Sequence, residues 1–444
     1  MSETITLTSR RVLLDGAFRP ASVVVRHGRI AAIDAREGEI LDLGDDALLP
    51  ALTDCHVHIN EPGRTEWEGF ETATKAAAAG GVTLIVDMPL NSDPVTTTRA
   101  ALDAKKASAA GKLWVDVGLW GGVVPGNAGE LRAMVDGGAL GFKCFTCHSG
   151  IDDFPASTAE DLRIAMPVLR ACGVPLLVHA ELESPIEVTG DPREYATYLH
   201  SRPKEWEDRA VAMIVELVRE TGCRAHIVHL SSAGALAAIR AAKADGLPIT
   251  AETCPHYLGL AADEVPPGAT EYKCAPPIRD RANQDLLWAA LLDGTLDFVV
   301  TDHSPCIPAL KRFETGQFMD AWGGVASLQL GLRSVWTAAH GRGVPLETVV
   351  RWMSASTAAF TGRSDRGAIR VGANADLVRF RPDTTAVLDP ATLHHRHPTT
   401  PWAGRVLRGD VVTTWQRGER IAHEGRVDGP PRGRIHAAGS TGHE

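Results

Sequence analysis

The chain lacks any long uninterrupted apolar run. No stretch of its 444 residues approaches the ~18 consecutive apolar residues that a membrane-spanning helix needs, which excludes a spanning protein. It also lacks an excess of basic residues, because 45 Lys and Arg stand against 55 Asp and Glu and give a formal net charge of -10. That balance favours solubility and is unlike the basic face of a nucleic-acid-binding protein. We expect neither a membrane nor a nucleic acid as a partner.

Cysteine is scarce as well, and a secretory signal is missing. Eight cysteines in 444 residues are too few for a disulfide scaffold. Residues 1–7 show no basic segment followed by an apolar one, so we expect reduced thiols in the cytoplasm. Cys144 and Cys147 form a C-x-x-C motif, but the surroundings do not resemble a thioredoxin, and we interpret them as packing thiols.

What the middle of the chain does contain is a repeated alternation of strand and helix patterns. Helical patterns follow several short apolar runs, as at 67–79, 158–172, 205–221, 233–244 and 283–292. Eight such units predict an α/β protein built as a (β/α)8 TIM barrel. The eight apolar runs are 48–55, 82–88, 113–119, 139–143, 174–178, 225–228, 247–251 and 296–301.

Both ends of the chain show short strand patterns around tight turns instead. We predict that residues 1–50 and 369–428 together form a small β-sandwich domain, with the barrel at 51–368. Residues 429–444 are rich in Gly, Pro, Arg and His and predict a flexible tail.

The chemistry is expected at the carboxyl ends of the barrel strands. His56 and His58 follow the first run at i and i+2, so both side chains point the same way. The fifth, sixth and eighth runs lead into His179, His229 and Asp302. One catalytic zinc ion typically uses three protein ligands, so five candidate ligands favour two metal ions.

Two cations need a bridging anion, and the fourth run places Lys143 at the same rim. An ammonium group there would repel metals, whereas a lysine that has reacted with CO2 carries a bidentate carbamate. We predict a carboxylated Lys143; the alternative is a salt-bridged structural lysine. Metal-bound water has a pKa of about 7, and Asp302 is placed to act as general base and then acid. The predicted reaction is hydrolysis of a C–N or ester bond at a carbonyl carbon.

This set of residues resembles the amidohydrolase superfamily, and most closely its cyclic amidohydrolases. The longer strings at 54–70, 87–92 and 273–279 are similar to those of the allantoinases. The resemblance implies hydrolysis of the hydantoin ring of allantoin to allantoate in purine (ureide) breakdown. It also implies a homo-oligomer, either a tetramer or a dimer. We expect two divalent metal ions, with zinc as the default and cobalt, manganese or iron as alternatives.

Differences between this sequence and related families narrow the range of expected substrates. Dihydroorotases carry an Arg two residues after the second His, to pair with a carboxylate, but this chain has Asn60. Hydantoinases place a Tyr shortly after the bridging Lys, and residues 144–150 contain none. His148 is either an oxyanion donor or a loop residue. The predicted substrate contacts are Asn60, Asn91, Cys274 and Ser304.

Other histidines receive structural interpretations. His303 alternates away from the site, His256 is a supporting residue, and residues 394–397 are a surface loop. Two alternatives to allantoin hydrolysis stay open. One is another cyclic amide hydrolase, such as a hydantoinase, dihydropyrimidinase or dihydroorotase. The other is an inactive scaffold protein, which would be expected to have lost ligand residues.

Overall fold

The computed structural model describes residues 4–437, and every predicted barrel run overlaps an observed strand. The strands are β1 (Thr4–Leu14), β2 (Ala17–Arg26), β3 (Arg29–Ile33), β4 (Glu39–Asp42), β5 (Ala47–Pro50), β6 (Leu52–Val57), β7 (Val82–Asp87), β8 (Asp116–Leu119), β9 (Gly121–Gly122), β10 (Phe142–Phe145), β11 (Leu176–His179), β12 (Ala225–Ile227), β13 (Ile249–Thr253), β14 (Phe298–Val299), β15 (Leu377–Val387), β16 (Val406–Gln416), β17 (Glu419–His423) and β18 (Arg426–Val427).

The helices include all five that the sequence predicts, together with others the sequence pattern missed. A π-helical stretch, Arg351–Ala355, separates the last two. None of the helices within residues 4–437 is long and apolar enough to cross a membrane. They are α1 (Phe70–Ala79), α2 (Arg99–Ala109), α3 (Leu131–Asp136), α4 (Ala159–Cys172), α5 (Tyr195–Ser201), α6 (Lys204–Thr221), α7 (Leu236–Ala244), α8 (Pro255–Gly259), α9 (Arg281–Asp293), α10 (Gly331–Gly341), α11 (Leu346–Val350) and α12 (Ser356–Phe360).

Strands β6 to β14, here called the central strands, are all parallel and hydrogen-bond in chain order. β8 and β9 are one stretch broken at Trp120, and Leu140 N–H donates to Leu119 O at 3.0 Å across to the next strand. A parallel bridge joins Val57 of β6 to His303, just beyond β14, and His58 N–H donates to His303 O at 2.8 Å. The first and last central strands are therefore neighbours, and all their carboxyl ends lie on one side.

Helix α4 illustrates why the sequence forms these elements. Thr158 accepts a hydrogen bond from Asp161 N–H, and the Asp161 carboxylate accepts one from Thr158 N–H, so the helix begins at a capping box. Gly173 ends it in the left-handed conformation. Its buried positions recur at helical spacing, which turns one apolar face towards the central strands: Leu162, Ala165, Met166 and Leu169.

The two chain ends share one nine-stranded sheet, the terminal sheet, made of β1–β5 and β15–β18. β5 links them, because it pairs in parallel with β1 and antiparallel with β15. The sheet curls strongly. Val25 of β2 and Trp415 of β16 belong to one buried cluster, although β1, β5 and β15 lie between their strands.

Part of the predicted flexible tail is tied to the central strands. Ile435 forms a parallel bridge with Val117 of β8, and His436 N–H donates to Val117 O at 2.8 Å. The neighbouring Asp116 is fully buried and contacts the guanidinium groups of Arg366 and Arg417 and the ring of His436. Hydrogen bonding therefore holds this segment where composition predicted mobility, while residues 438–444 lie outside the described residues.

Candidate metal centre and active site

A cavity of about 480 Å³ opens at the carboxyl ends of the central strands. Five of the six predicted metal-ligand side chains line it: His58, Lys143, His179, His229 and Asp302. The sixth, His56, lies directly behind them, with Nε2 at 3.1 Å from Asp302 Oδ1; His58 Nε2 is 3.5 Å from the same oxygen. The structure thus brings together all six residues from five strand ends, with His56 and His58 both at the end of β6.

The hydrogen bonding of His56 identifies a ring nitrogen that could bind a metal ion. Its Nδ1 donates to Glu252 Oε1 at 2.5 Å, which leaves a lone pair on Nε2. Nε2 is buried without a hydrogen-bond partner in the described chain, yet it points at Asp302. Burial and Lys143 lower the pKa of His56, but Asp302 and Glu252 outweigh them and the pKa is raised. The raised pKa favours a proton on Nε2 that donates to Asp302, whereas the neutral ring holds a lone pair there; a metal cation bound by both groups would replace that proton.

His179 and His229 form a second convergence. The ring of His179 donates through Nε2 to Glu181 Oε2 at 2.8 Å, so its Nδ1 carries a lone pair. That Nδ1 lies 3.0 Å from Nε2 of His229. Burial, His179 and Lys143 hold the pKa of His229 well below its usual value, so this ring is neutral. Two neutral ring nitrogens that meet in this way are the usual donors for a divalent transition metal.

Lys143 sits among all four histidines. Its positive charge lowers the pKa of each of them, which places the ammonium close to every ring. The side chain is 1% exposed, and burial lowers its pKa to about 8. It forms no ion pair within residues 4–437. A buried amine without a carboxylate partner fits a group that is modified in the working protein.

The backbone is strained at this site. His229 and Asp302 have φ angles of 37° and 45°, and Asn60 has 66°, in the left-handed region that non-glycine residues rarely occupy. Such strain is retained at functional sites where the surrounding structure enforces it.

The predicted substrate contacts divide into two groups. Asn91, Cys274 and Ser304 line the cavity. Asn91 Oδ1 is buried without a hydrogen-bond partner in the described chain, which leaves an acceptor for a ligand. Asn60 does not line the cavity; it is buried behind it, where Nδ2 donates to Pro305 O at 3.3 Å. His148 lines the mouth, with its Nδ1 held by Gly150 N–H.

Sequence reasoning missed the carboxylates that orient the histidines. Glu252 is fully buried and contacts His56, the ring of His226 at 3.0 Å and His229 N–H at 3.3 Å. Glu181 joins His179 to Arg202. Both signals were present in the sequence: Glu252 lies one residue beyond the predicted seventh run, and Glu181 shares the side of His179 at i+2.

The other histidines take supporting positions. His303 is not directed at the cavity, as predicted; its ring hydrogen-bonds Glu68. His256 is buried in a group with Cys254 and Asp302. The surface interpretation of residues 394–397 is wrong for His395, which is buried, with its ring centroid 4.6 Å from that of His303. It was missed because the contact is about 90 residues away along the chain.

Comparisons with known proteins identify the family of this chain. The model of the amidohydrolase family matches residues 47–421. An allantoinase from Streptomyces avermitilis is 50% identical over 440 residues, which cover 97% of this chain and 98% of that protein. An allantoinase from Arabidopsis thaliana is 42% identical over 95% of this chain and 88% of its own length.

The solved structures similar to this chain include cyclic amide hydrolases. An L-hydantoinase (dihydropyrimidinase) from Arthrobacter aurescens superposes with a TM-score of 0.91 at 29% identity, over 98% of this chain and 99% of that one. The similarity therefore extends over the terminal sheet as well as the central strands.

Proposed function

Because this chain belongs to the amidohydrolase family, with allantoinases among its full-length relatives, we propose that it opens the hydantoin ring of allantoin to give allantoate. It is a hydrolase of cyclic amides. The observation that carries the proposal is the convergence of six side chains from five strand ends, five of them in the lining of one cavity and His56 directly behind it.

The residues fit a pair of divalent metal ions. Nε2 of His56 has no hydrogen-bond partner in the described chain, and the ring nitrogens of His179 and His229 that face each other at 3.0 Å could both bind a metal ion instead. We propose zinc as the default, held by His56, His58, His179, His229 and Asp302, with Lys143 carboxylated by CO2 as the bridge. Two such ions, when bound, supply Lewis acidity and lower the pKa of water to about 7.

The protein's own groups complete the reaction. Asp302 takes a proton from the attacking water, whose oxygen bonds to the ring carbonyl carbon. When the C–N bond breaks, Asp302 delivers that proton to the departing ring nitrogen, and the new carboxylic acid releases its remaining proton to solvent to give the carboxylate. Asn91 Oδ1 supplies an acceptor for a substrate N–H, and the cavity walls exclude bulk water around it. Glu252 and Glu181 fix the ring tautomers throughout.

The finer architecture is also a proposal. The chain-order pairing of β6 to β14 and the Val57–His303 bridge support a closed (β/α)8 barrel. The shared core of β2 and β16 supports a terminal sheet folded as a β-sandwich. We further propose a cytoplasmic homotetramer or homodimer, which light scattering of the purified protein tests.

The decisive experiment is turnover of allantoin by metal-loaded protein, beside hydantoin, dihydrouracil and dihydroorotate. Ring opening of allantoin far above the other rings supports the proposal. Preferential turnover of hydantoin or dihydrouracil would contradict allantoin as the substrate and would favour the activity named for the hydantoinase neighbour. It would not affect the proposed metal site.

Lys143→Ala tests the bridge in the same assay. We expect both metal ions and activity to be lost, with partial rescue by added acetate or propionate, whose carboxylate replaces the carbamate. Lys75→Ala, on the outer face of α1, is the matched control. Full metal content and activity in Lys143→Ala would contradict the proposed bridge.

A further inference from the structure

Two lysines, Lys273 in the lining of the cavity and Lys311 packed behind that lining, have no carboxylate partner among the described residues. Lys311 is 4% exposed, and Lys273 lines the cavity. Neither forms an ion pair with any residue between 4 and 437, although buried lysines are rare unless they are paired. Burial lowers the pKa of both groups. Carrying two ammonium groups into this wall costs solvation, so their hydrogen bonds must offset that cost.

All of those hydrogen bonds reach backbone carbonyls of one short segment, residues 319–324, here called the cover segment. Lys273 Nζ donates to Met319 O at 3.1 Å and to Ala321 O at 2.6 Å. Lys311 Nζ donates to Trp322 O at 3.1 Å and to Gly324 O at 2.5 Å. The cover segment lines the cavity through Met319 and through residues 321–324. Charge-assisted hydrogen bonds of this kind are about twice as strong as neutral ones.

These contacts fix the orientation of the Gly323 backbone. In a trans peptide the C=O and N–H groups point in opposite directions. Because Trp322 O is directed at Lys311, the Gly323 N–H of the same peptide points away from Lys311. Gly324 N–H donates to Lys273 O at 2.8 Å, so Gly323 C=O points away from that contact. Neither polar group of Gly323, a cavity-lining residue, has a hydrogen-bond partner in the described part of the chain.

The cover segment is also joined to the catalytic strand end. Ser304 N–H donates to Val325 O at 3.0 Å, directly after the segment and two residues beyond Asp302. Gly324 must be glycine here, because its φ is 127° and an added Cβ would lie 2.1 Å from Ser304 O. The segment therefore runs beside the residues that follow Asp302. Besides the ring contact of Trp322 with Trp67 and the Trp322 N–H bond to Leu310 O, it is held by the two lysine side chains.

We propose that Lys311 is a positioning residue for substrate binding, which acts by holding the cover segment so that the Gly323 peptide faces the ring. Lys273 secures the other half of the segment. The inference rests on the proposed function, since it assigns a task in binding the cyclic amide. A cyclic amide offers adjacent C=O and N–H groups, which match a free N–H and C=O on one residue.

The test compares Lys311→Met, Lys273→Met and the control Lys75→Met by steady-state kinetics with allantoin. Met keeps the length and apolar stem of Lys but leaves the carbonyls unpaired. We expect Lys311→Met to raise KM at least tenfold, with kcat within threefold of wild type and an unchanged metal content. Lys273→Met, whose side chain is less buried, gives a smaller rise in KM and keeps the test available if Lys311→Met fails to fold.

Hydrogen–deuterium exchange supplies a readout that does not depend on activity. The peptide that spans residues 317–326 should exchange slowly in wild type, slower still with added allantoate, and faster in both lysine variants. An unchanged KM, or a loss confined to kcat or metal content, would overturn the inference, as would unchanged exchange. Wild-type turnover separates the two proposals: if another ring is the substrate, the same KM comparison is made with that ring.

Discussion

The ring of His303 donates a hydrogen bond through Nε2 to Glu68, with 3.1 Å between Nε2 and Oε2, and both side chains are fully buried. The tautomer follows from the other nitrogen, because Nδ1 accepts from Ser327 N–H at 3.1 Å and cannot carry a proton. His303 is the neighbour of Asp302, and its carbonyl accepts from His58 N–H. This pair therefore supports the backbone on which two proposed metal ligands stand.

Replacing Glu68 tests that support. In Glu68→Gln, one amide oxygen cannot serve both His303 and Arg396 N–H, so a donor faces a donor. We expect a loss of about 1–3 kcal/mol in unfolding free energy and a kcat lowered about tenfold. Urea denaturation and kinetics measure the two. The control is Glu71→Gln, an exposed partner of Lys75, which should change stability by less than about 0.5 kcal/mol. An equal effect in both variants contradicts the prediction.

Replacing Glu252 should weaken metal retention. Glu252→Gln places an amide N–H₂ against either His56 or His226, which disturbs the tautomer that leaves Nε2 of His56 free. Loss of such supporting carboxylates typically weakens metal affinity about 10–100-fold. Competition with a chelator, read as metal remaining per chain, measures this. Glu220→Gln, an exposed partner of Arg163, should retain metal like wild type; matching behaviour of Glu252→Gln would refute the expectation.

Asp116 should make stability depend on acid pH. Burial raises the pKa of Asp116, but Arg366, His436 and Arg417 outweigh burial and hold it below the usual range. Its contribution is complete above the unfolded pKa of about 3.9 and is lost as pH falls through the lower folded pKa. At pH 7, Asp116→Asn should cost about 3–5 kcal/mol, because Arg366 loses a buried partner.

The difference between wild type and Asp116→Asn in urea denaturation should therefore shrink as pH falls below about 4. Asp45→Asn, which removes an exposed partner of Arg10, is the control and should change stability little at any pH. A difference that stays constant down to pH 2 would show that Asp116 does not titrate as its ion pairs require.

Asn91 and Asn60 should behave differently on substitution. Asn91→Ala removes an unpartnered acceptor from the cavity, and we expect KM for allantoin to rise about tenfold, equivalent to about 1.4 kcal/mol. Asn60→Ala should act mainly on stability, because the residue lies behind the cavity with φ at 66°. Steady-state kinetics and urea denaturation of both variants measure these effects. A raised KM in Asn60→Ala alone would show that Asn60, and not Asn91, contacts the substrate.

The candidate ligands could be predicted because their signal is local. His56 and His58 obey strand alternation, and His179, His229 and Asp302 each follow an apolar run directly. Their supports depend on which strands become neighbours. Glu252 contacts the ring of His56 on another strand, and a predicted strand that ended at residue 251 excluded it. Glu181 contacts the ring of His179 two residues before it, and its second partner, Arg202, lies beyond any local pattern.

Contacts between distant segments were beyond the reach of sequence patterns. His395 reaches His303, and the segment around Ile435 pairs with β8, although composition alone indicated a surface loop and a mobile tail. Asn60 is a case in which the motif predicts substrate contact, and the backbone conformation decides where the side chain lies. Its φ is 66°, and its Nδ2 donates to Pro305 O outside the cavity lining.

The terminal sheet is not an independent module. In the stretch that joins its strands β15 and β16, His395 packs against His303 and Arg396 donates to Glu68. Arg417 reaches the buried carboxylate of Asp116. A chimaeric gene that fuses these central strands to the ends of a distant relative would separate partners that must be inherited together. Recombination within this fold is therefore constrained to exchange whole chains or to carry these residues along.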